Sequence, residues 1–159
     1  MGQQLSSFAS RGGWWIVAQV PVMIGAFFVP LVTGVERLNW SAPAQVGGMV
    51  VTVVAGVMIL GGLFGLGRDL TPFPRPLAHG RLHQRGAYRI VRHPIYAGVI
   101  LGSFGWSLAW LSVGGALFGL FVFLFFDRKS RFEEAFLRAR FPEYSTYAAR
   151  VRRFIPGVY

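Results

Sequence analysis

Uncharged stretches alternate with arginine-rich ones along this chain, and that alternation carries most of the fold. Residues 12–35, 38–67 and 95–126 contain no Asp, Glu, Lys or Arg. Crossing a bilayer takes about 20 apolar residues, and each run exceeds that. The first opens on Trp14-Trp15, an interfacial anchor, and stays apolar to about Val32, predicting a span at 14–32. Its length, the lack of a small-residue cleavage site and the hydrophobic segments that follow distinguish it from a signal peptide. A short connection at 33–45 holds Glu36, Arg37 and Trp40; its Asn39-Trp40-Ser41 triplet fits a glycosylation pattern that is frequent by chance. The second span is predicted at 46–66. Gly61 and Gly65 there form a small-xxx-small pair suited to tight intramolecular packing, which permits a homodimer without requiring one.

The third run, Ile95–Phe126, would stretch about 48 Å as one helix, well beyond a hydrocarbon layer of about 30 Å. Ser112-Val113-Gly114-Gly115 reads as a turn near its middle. Two short antiparallel helices at 95–111 and 114–127 follow, with Trp106 and Trp110 near the turn. Between the second and third runs lies a polar loop, 68–92, with six arginines and the patch Thr71-Pro72-Phe73-Pro74-Arg75-Pro76. After Phe126 the composition changes: residues 127–159 hold eight basic residues and four acids. Phe132, Phe136 and Phe141 there line one side of a helix, and Glu134 and Arg138 stand four apart. The expected fold is all-α: a single polytopic membrane domain over 1–159, with about four transmembrane helices, the last two a short hairpin, and a C-terminal amphipathic helical cap over 128–159.

Charge then gives the orientation. With four spans, Arg11, the 68–92 loop and the tail share one side and hold fifteen of the sixteen basic residues; Arg37 alone lies opposite. This is a positive-inside pattern, and it places both termini in the cytoplasm of a multi-pass protein, as in a bacterial inner membrane. Only 14% of the 159 residues are charged, against about 25% in soluble domains, and the net charge is +10. The absence of cysteine excludes disulfides, haem thiolates, iron–sulfur clusters and Cys-ligated zinc. Arginines interspersed with spans, rather than laid along a soluble face, argue against nucleic acid as a partner.

Two constellations carry candidate chemistry. The third run is entered through Tyr88-Arg89-Ile90-Val91-Arg92-His93-Pro94-Ile95-Tyr96. Pro94 suits the first position of a helix, whose free N–H groups accept a carboxylate or phosphate, with Arg89 and Arg92 adding to the field. The same arginines also suit anionic lipid headgroups. The second constellation is Glu133-Glu134. Adjacent helical residues point about 100° apart, so one acid faces a site while the other pairs at the surface; Glu134 has Arg138 as a partner, which favours Glu133 for the inward role. His79 and His83 stand four apart, but Gly80 and nearby prolines work against a helix there, and no metal site is expected.

The stretch Gly86-Ala87-Tyr88-Arg89-Ile90-Val91-Arg92-His93-Pro94-Ile95-Tyr96-Ala97-Gly98 resembles the signature of the isoprenylcysteine carboxyl methyltransferase and phospholipid N-methyltransferase group of membrane enzymes. The similarity continues with Glu133-Glu134-Ala135-Phe136-Leu137, Phe141-Pro142-Glu143-Tyr144, Tyr147 and Val151-Arg152-Arg153-Phe154-Ile155-Pro156, covering about 68–157. Pro142 departs from the glycine that relatives usually carry. The resemblance implies an S-adenosylmethionine-dependent methyltransferase acting on a lipid-like acceptor in the membrane, most readily the carboxylate of a prenylcysteine-like molecule. It assigns His93, Tyr96 and the backbone from Pro94 to Gly98 to the cofactor pocket, with Tyr88 and Tyr144 beside them and Glu133 or Glu134 on the cofactor. Arg92, Tyr147, Arg150 and Glu133 stand as the candidates nearest the reaction. Two other readings remain: a non-catalytic membrane protein that binds anionic lipid or a partner through its arginines, and another membrane lipid enzyme such as a reductase.

Overall fold

A computed structural model of the chain describes residues 8–9, 11–34, 42–75 and 80–159. The expected contributions of Arg37, the Asn39-Trp40-Ser41 triplet and His79 lie outside the described residues. The fold is an all-α bundle. Its helices are α1 (Gly13–Thr33), α2 (Pro43–Leu66), the single turn α3 (Ala87–Ile90), α4 (Pro94–Ala109), α5 (Val113–Arg140) and α6 (Tyr144–Arg150). Helices α1 and α2, of 21 and 24 residues, are long and apolar enough to cross a membrane. Their apolar side chains point outward, with Trp14, Ile24, Phe28 and Val32 on α1 and Val53, Val57 and Phe64 on α2 about half exposed or more. The core helix of a soluble protein would bury such residues. Pro21 and Pro30 lie inside α1.

Helix α4 packs against α2 on one flank and α5 on the other, and α5 packs in turn against α1. The α2–α4 seam is built from small residues. A Cβ on Gly48 would lie 2.3 Å from the Ala109 nitrogen, one on Gly105 would lie 2.8 Å from the Thr52 nitrogen, and one on Gly98 would lie 2.8 Å from the Ala55 carbonyl. Gly62 likewise sits against Pro94 and Ile95. The close approach therefore uses Gly48 and Gly62 of α2, whereas Gly61 and Gly65 face Ala87 and the Tyr88 ring of the α3 turn. Overpacking costs about 1–3 kcal/mol for extra methylenes in a filled contact, and here the obstacle is backbone. Gly98→Leu is accordingly expected to lower the melting temperature in detergent by several degrees, while Gly56→Leu, where a Cβ meets nothing within 4 Å, should leave it within about one degree. Thermal unfolding followed by circular dichroism reads both.

The turn between α4 and α5 comes earlier than the glycine pair suggests. It occupies residues 110–112, with Leu111 at φ +46° and Ser112 capping α5 by accepting from the Gly115 N–H at 2.8 Å. Ser112 also shares a 2.6 Å hydrogen bond with Thr33, tying this turn to the end of α1. At its other end α5 does not stop with the apolar run at Phe126 but continues to Arg140. The switch to Arg, Lys, Glu, Ala and Leu changes polarity without removing helix propensity, and the next helix breaker is Pro142. One helix thus carries both the apolar wall of the bundle and the acidic residues below it.

Candidate active site

The chain returns to the start of α4 from its C-terminal segment. Val91 and Arg152 form a parallel bridge, the Arg92 N–H donates to the Arg152 carbonyl at 2.8 Å, and the His93 N–H donates to the Arg153 carbonyl at 3.2 Å. These bonds fix the backbone just before Pro94, which is fully buried at the first position of α4. Tyr147 of α6 adds a hydrogen bond from its hydroxyl to the Tyr88 carbonyl at 2.5 Å, and the Tyr88 hydroxyl donates to the Gly62 carbonyl at 3.3 Å. Burial pushes the Tyr147 hydroxyl up to about 12, with Arg92 opposing and Glu134 reinforcing, so it stays a proton donor at neutral pH.

Around this start lies a cavity of about 320 Å³, within the range of small-molecule sites. Leu63, Leu66, Leu70, Ile95 and Leu137 give it apolar walls; Tyr88, Arg92, His93, Tyr96, Glu133, Tyr144 and Tyr147 bring polar groups to it. Lys129 and Gln19 line it from α5 and α1, and Arg81 and His83 from the preceding loop. His83 Nε2 and Asp69 Oδ2 stand 2.8 Å apart, tying that loop back to the end of α2; this hydrogen bond from His83, working against burial, lowers the Asp69 carboxyl.

The adjacent glutamates have different surroundings. Glu133 lines the cavity with its side chain one-quarter exposed, and its Oε2 accepts from the Tyr96 hydroxyl at 2.9 Å. The Tyr96 ring stacks on His93, 5.3 Å between centroids and 5° between planes, and His93 Nδ1 is 3.9 Å from Glu133. Glu134 is fully buried behind that wall. It accepts from Arg92 Nε and Nη2 at 3.1 and 2.9 Å, from Arg153 Nε and Nη2 at 3.1 and 3.3 Å, and from Arg138 Nη2 at 3.0 Å; His93 Nε2 is 3.3 Å away. Burial alone would raise its carboxyl, but hydrogen bonds from His93 and Arg153 and the charges of His93 and Arg92 outweigh it and hold the group well below the usual carboxylate range.

Arg92 is consumed in the same arrangement, since its Nη1 donates to the carbonyls of Ala148 and Val151. Tyr144 lines the cavity with a buried hydroxyl that lies close to the Arg92 guanidinium. Burial, reinforced by the Glu134 charge and opposed by Arg92, pushes that hydroxyl up. The sequence candidates therefore divide. Tyr88, Arg92, His93, Tyr96, Glu133, Tyr144 and Tyr147 meet at the cavity. Glu134 lies behind it, Pro94 and Gly98 are packed against α2, and Arg150 is exposed on α6. Sequence reasoning passed over Lys129 and Gln19. Their signal was their rarity: one lysine in the chain, and one amide within the first apolar run. No group of three His, Asp or Glu residues among the described residues is placed to hold a metal.

The family model described as phospholipid methyltransferase matches residues 43–144, which includes the small-residue seam, the start of α4 and both glutamates. Among curated proteins the chain is similar to protein-S-isoprenylcysteine O-methyltransferase B of Arabidopsis thaliana, 33% identical over 82 residues, or 50% of this chain and 42% of the relative. It is also similar to protein-S-isoprenylcysteine O-methyltransferase A of the same plant, 29% identical over 115 residues, or 70% of this chain and 58% of the relative. A probable protein-S-isoprenylcysteine O-methyltransferase of Oryza sativa subsp. indica is 32% identical over 80 residues, 49% of this chain and 42% of the relative. The chain spans about half the length of the curated relatives it matches.

Proposed function

Because the chain belongs to the phospholipid methyltransferase family, we propose that it transfers a methyl group from S-adenosylmethionine to a lipid-like acceptor within the membrane, most readily a prenylcysteine-like carboxylate. The observation that carries this is the cavity at the start of α4, where Glu133 and Tyr96 present a carboxylate–phenol pair and Tyr144 brings a buried hydroxyl near Arg92. In this reading α1 and α2 cross the bilayer, α4 and the apolar part of α5 form a shorter membrane hairpin, and the arginine-rich segments lie together on the cytoplasmic face. The polar end of α5, with α6 and the C-terminal segment, caps the cavity from that side.

The residues present fit the cofactor's mixed character. Glu133 offers a carboxylate oxygen for its amino group, Tyr88 and Tyr144 offer hydroxyls, and the leucine and isoleucine walls suit its apolar faces. When bound, S-adenosylmethionine supplies a sulfonium-activated methyl group. Tyr96 orients Glu133 by donating to Oε2, and the His93 ring stacked on Tyr96 holds that phenol in place. Arg92, saturated by Glu134 and two carbonyls, is a positioning residue: it joins α6 to the start of α4 and so holds Tyr144 and Tyr147 against the cavity. Apolar walls exclude water, and alignment of two bound reactants supplies much of the acceleration of such a displacement. A carboxylate acceptor is ionised near pH 7 and needs no base.

Titration of the detergent-purified protein with S-adenosylhomocysteine tests the reading, and micromolar binding is expected. Labelled methyl from S-adenosylmethionine should then enter a lipid extract or a prenylcysteine analogue; base-labile label identifies an ester. Absence of binding overturns the proposal.

A further inference from the structure

Lys129 lines the same cavity without an ion pair to Glu134 or Asp127. It is 2% exposed, belongs to α5, and donates to the Gln19 Oε1 on α1. Its ammonium lies 5.2 Å from the centroid of the Tyr96 ring and 6.0 Å from that of Phe126. A buried ammonium is costly unless an anion compensates it. Arg92, Arg138 and Arg153 share Glu134, and Arg131 and Arg153 share Asp127, yet no ion pair among the described residues includes Lys129. Glu133, one turn along α5, gives an oxygen to Tyr96 instead. Burial draws the Lys129 ammonium below its ordinary value even though the Glu133 charge works the other way.

Resting on the methyltransferase reading above, we infer that Lys129 and Gln19 receive the anionic group of the membrane acceptor, a carboxylate or a phosphate, as it enters the cavity from the bilayer side. Three features converge on this. Gln19 accepts from Lys129 through its oxygen, which leaves its amide N–H₂ as a second donor beside the ammonium. A cation with ring faces on one side and an amide on the other keeps N–H groups for an incoming oxyanion. Gln19 stands on α1, whose Val17, Val20 and Ile24 are all more than half exposed, so this contact joins the cavity to a helix with an outward apolar surface. Lys129 is thus a specificity-determining residue, one turn of α5 before Glu133 and joined through Gln19 to α1.

The experiment measures affinity of the detergent-purified protein for two matched pairs of probes, beside S-adenosylhomocysteine. One pair is N-acetyl-S-farnesylcysteine and its carboxamide; the other is lysophosphatidic acid and uncharged monoacylglycerol. A charge-assisted contact predicts that wild type prefers the anionic member of one pair by about tenfold or more, and the pair concerned identifies carboxylate or phosphate. Lys129→Gln should abolish that preference, Lys129→Arg should retain most of it, and both should bind S-adenosylhomocysteine as wild type does. The inference is overturned if neither pair shows a preference, if the preference survives in Lys129→Gln, or if Lys129→Gln loses S-adenosylhomocysteine by the same factor. Failure of wild type to bind S-adenosylhomocysteine would instead strike the methyltransferase reading itself.

Discussion

Glu134→Ala is expected to lower stability by about 3–5 kcal/mol, the range for removing one partner of a buried ion cluster. The carboxylate is fully buried and joins three separate stretches of chain: Arg92 and His93 before α4, Arg138 on its own helix, and Arg153 in the C-terminal segment. Alanine leaves the Arg92 guanidinium, whose side chain is only 9% exposed, without an anion, and leaves Arg153, 13% exposed, with Asp127 alone. Backbone bonds from Arg92 to Arg152 and from His93 to Arg153 depend on the same juxtaposition, so the C-terminal segment should detach early. Increased trypsin cleavage after Arg150, Arg152 and Arg153, together with a lower melting temperature in detergent, reads the effect. The pH dependence has a definite sign. Because folding depresses the Glu134 carboxyl from its ordinary 4.5, its stabilisation is complete above that value and is lost as pH falls below it toward the folded-state value. Wild type should therefore lose stability on acidification below about pH 4.5 more steeply than Glu134→Gln, which has no such carboxyl to protonate.

That carboxylate also marks the boundary of what the sequence discloses. Long apolar runs place α1 and α2 within a few residues because burial and membrane crossing alike demand them. The course of α5 is less legible, since a change from phenylalanine to arginine reads as an element boundary although the backbone has no reason to break before Pro142. Pairing Glu134 with Arg138 follows from helical spacing and is present in the structure at 3.0 Å. Its other partners come from positions 19 to 42 residues away, and no local period announces them. The Lys129–Gln19 contact joins residues 110 apart. Likewise Gly61 and Gly65 match a packing motif, yet rotation of α2 about its axis assigns the close seam to Gly48 and Gly62. Sequence gives spacing along an element; the azimuth of that element comes from long-range packing.

The second large effect separates two residues that differ by one position. Glu133→Gln should weaken S-adenosylhomocysteine binding by about ten- to a hundredfold, the worth of a charge-assisted hydrogen bond of about 1.5–3 kcal/mol, and reduce methyl transfer at least as much. Glutamine matches the side chain in shape and keeps an oxygen for the Tyr96 hydroxyl, so the His93–Tyr96 stack has no reason to move. With one-quarter of its side chain exposed and no arginine bonded to it, Glu133 acts on the buried Lys129 ammonium only through space, and the melting temperature should fall less than in Glu134→Gln. Glu134→Gln should behave in the opposite way. It removes the charge shared by Arg92, Arg138 and Arg153, so the protein melts earlier, yet well below its melting temperature the intact cavity wall should still bind S-adenosylhomocysteine with near wild-type affinity. The pair of variants thus distinguishes a charge aimed at a ligand from a charge that holds the wall in place. If Glu133→Gln binds normally while Glu134→Gln does not, the cofactor contact lies on the buried side of α5, and the cavity at the start of α4 is not where the amino group sits.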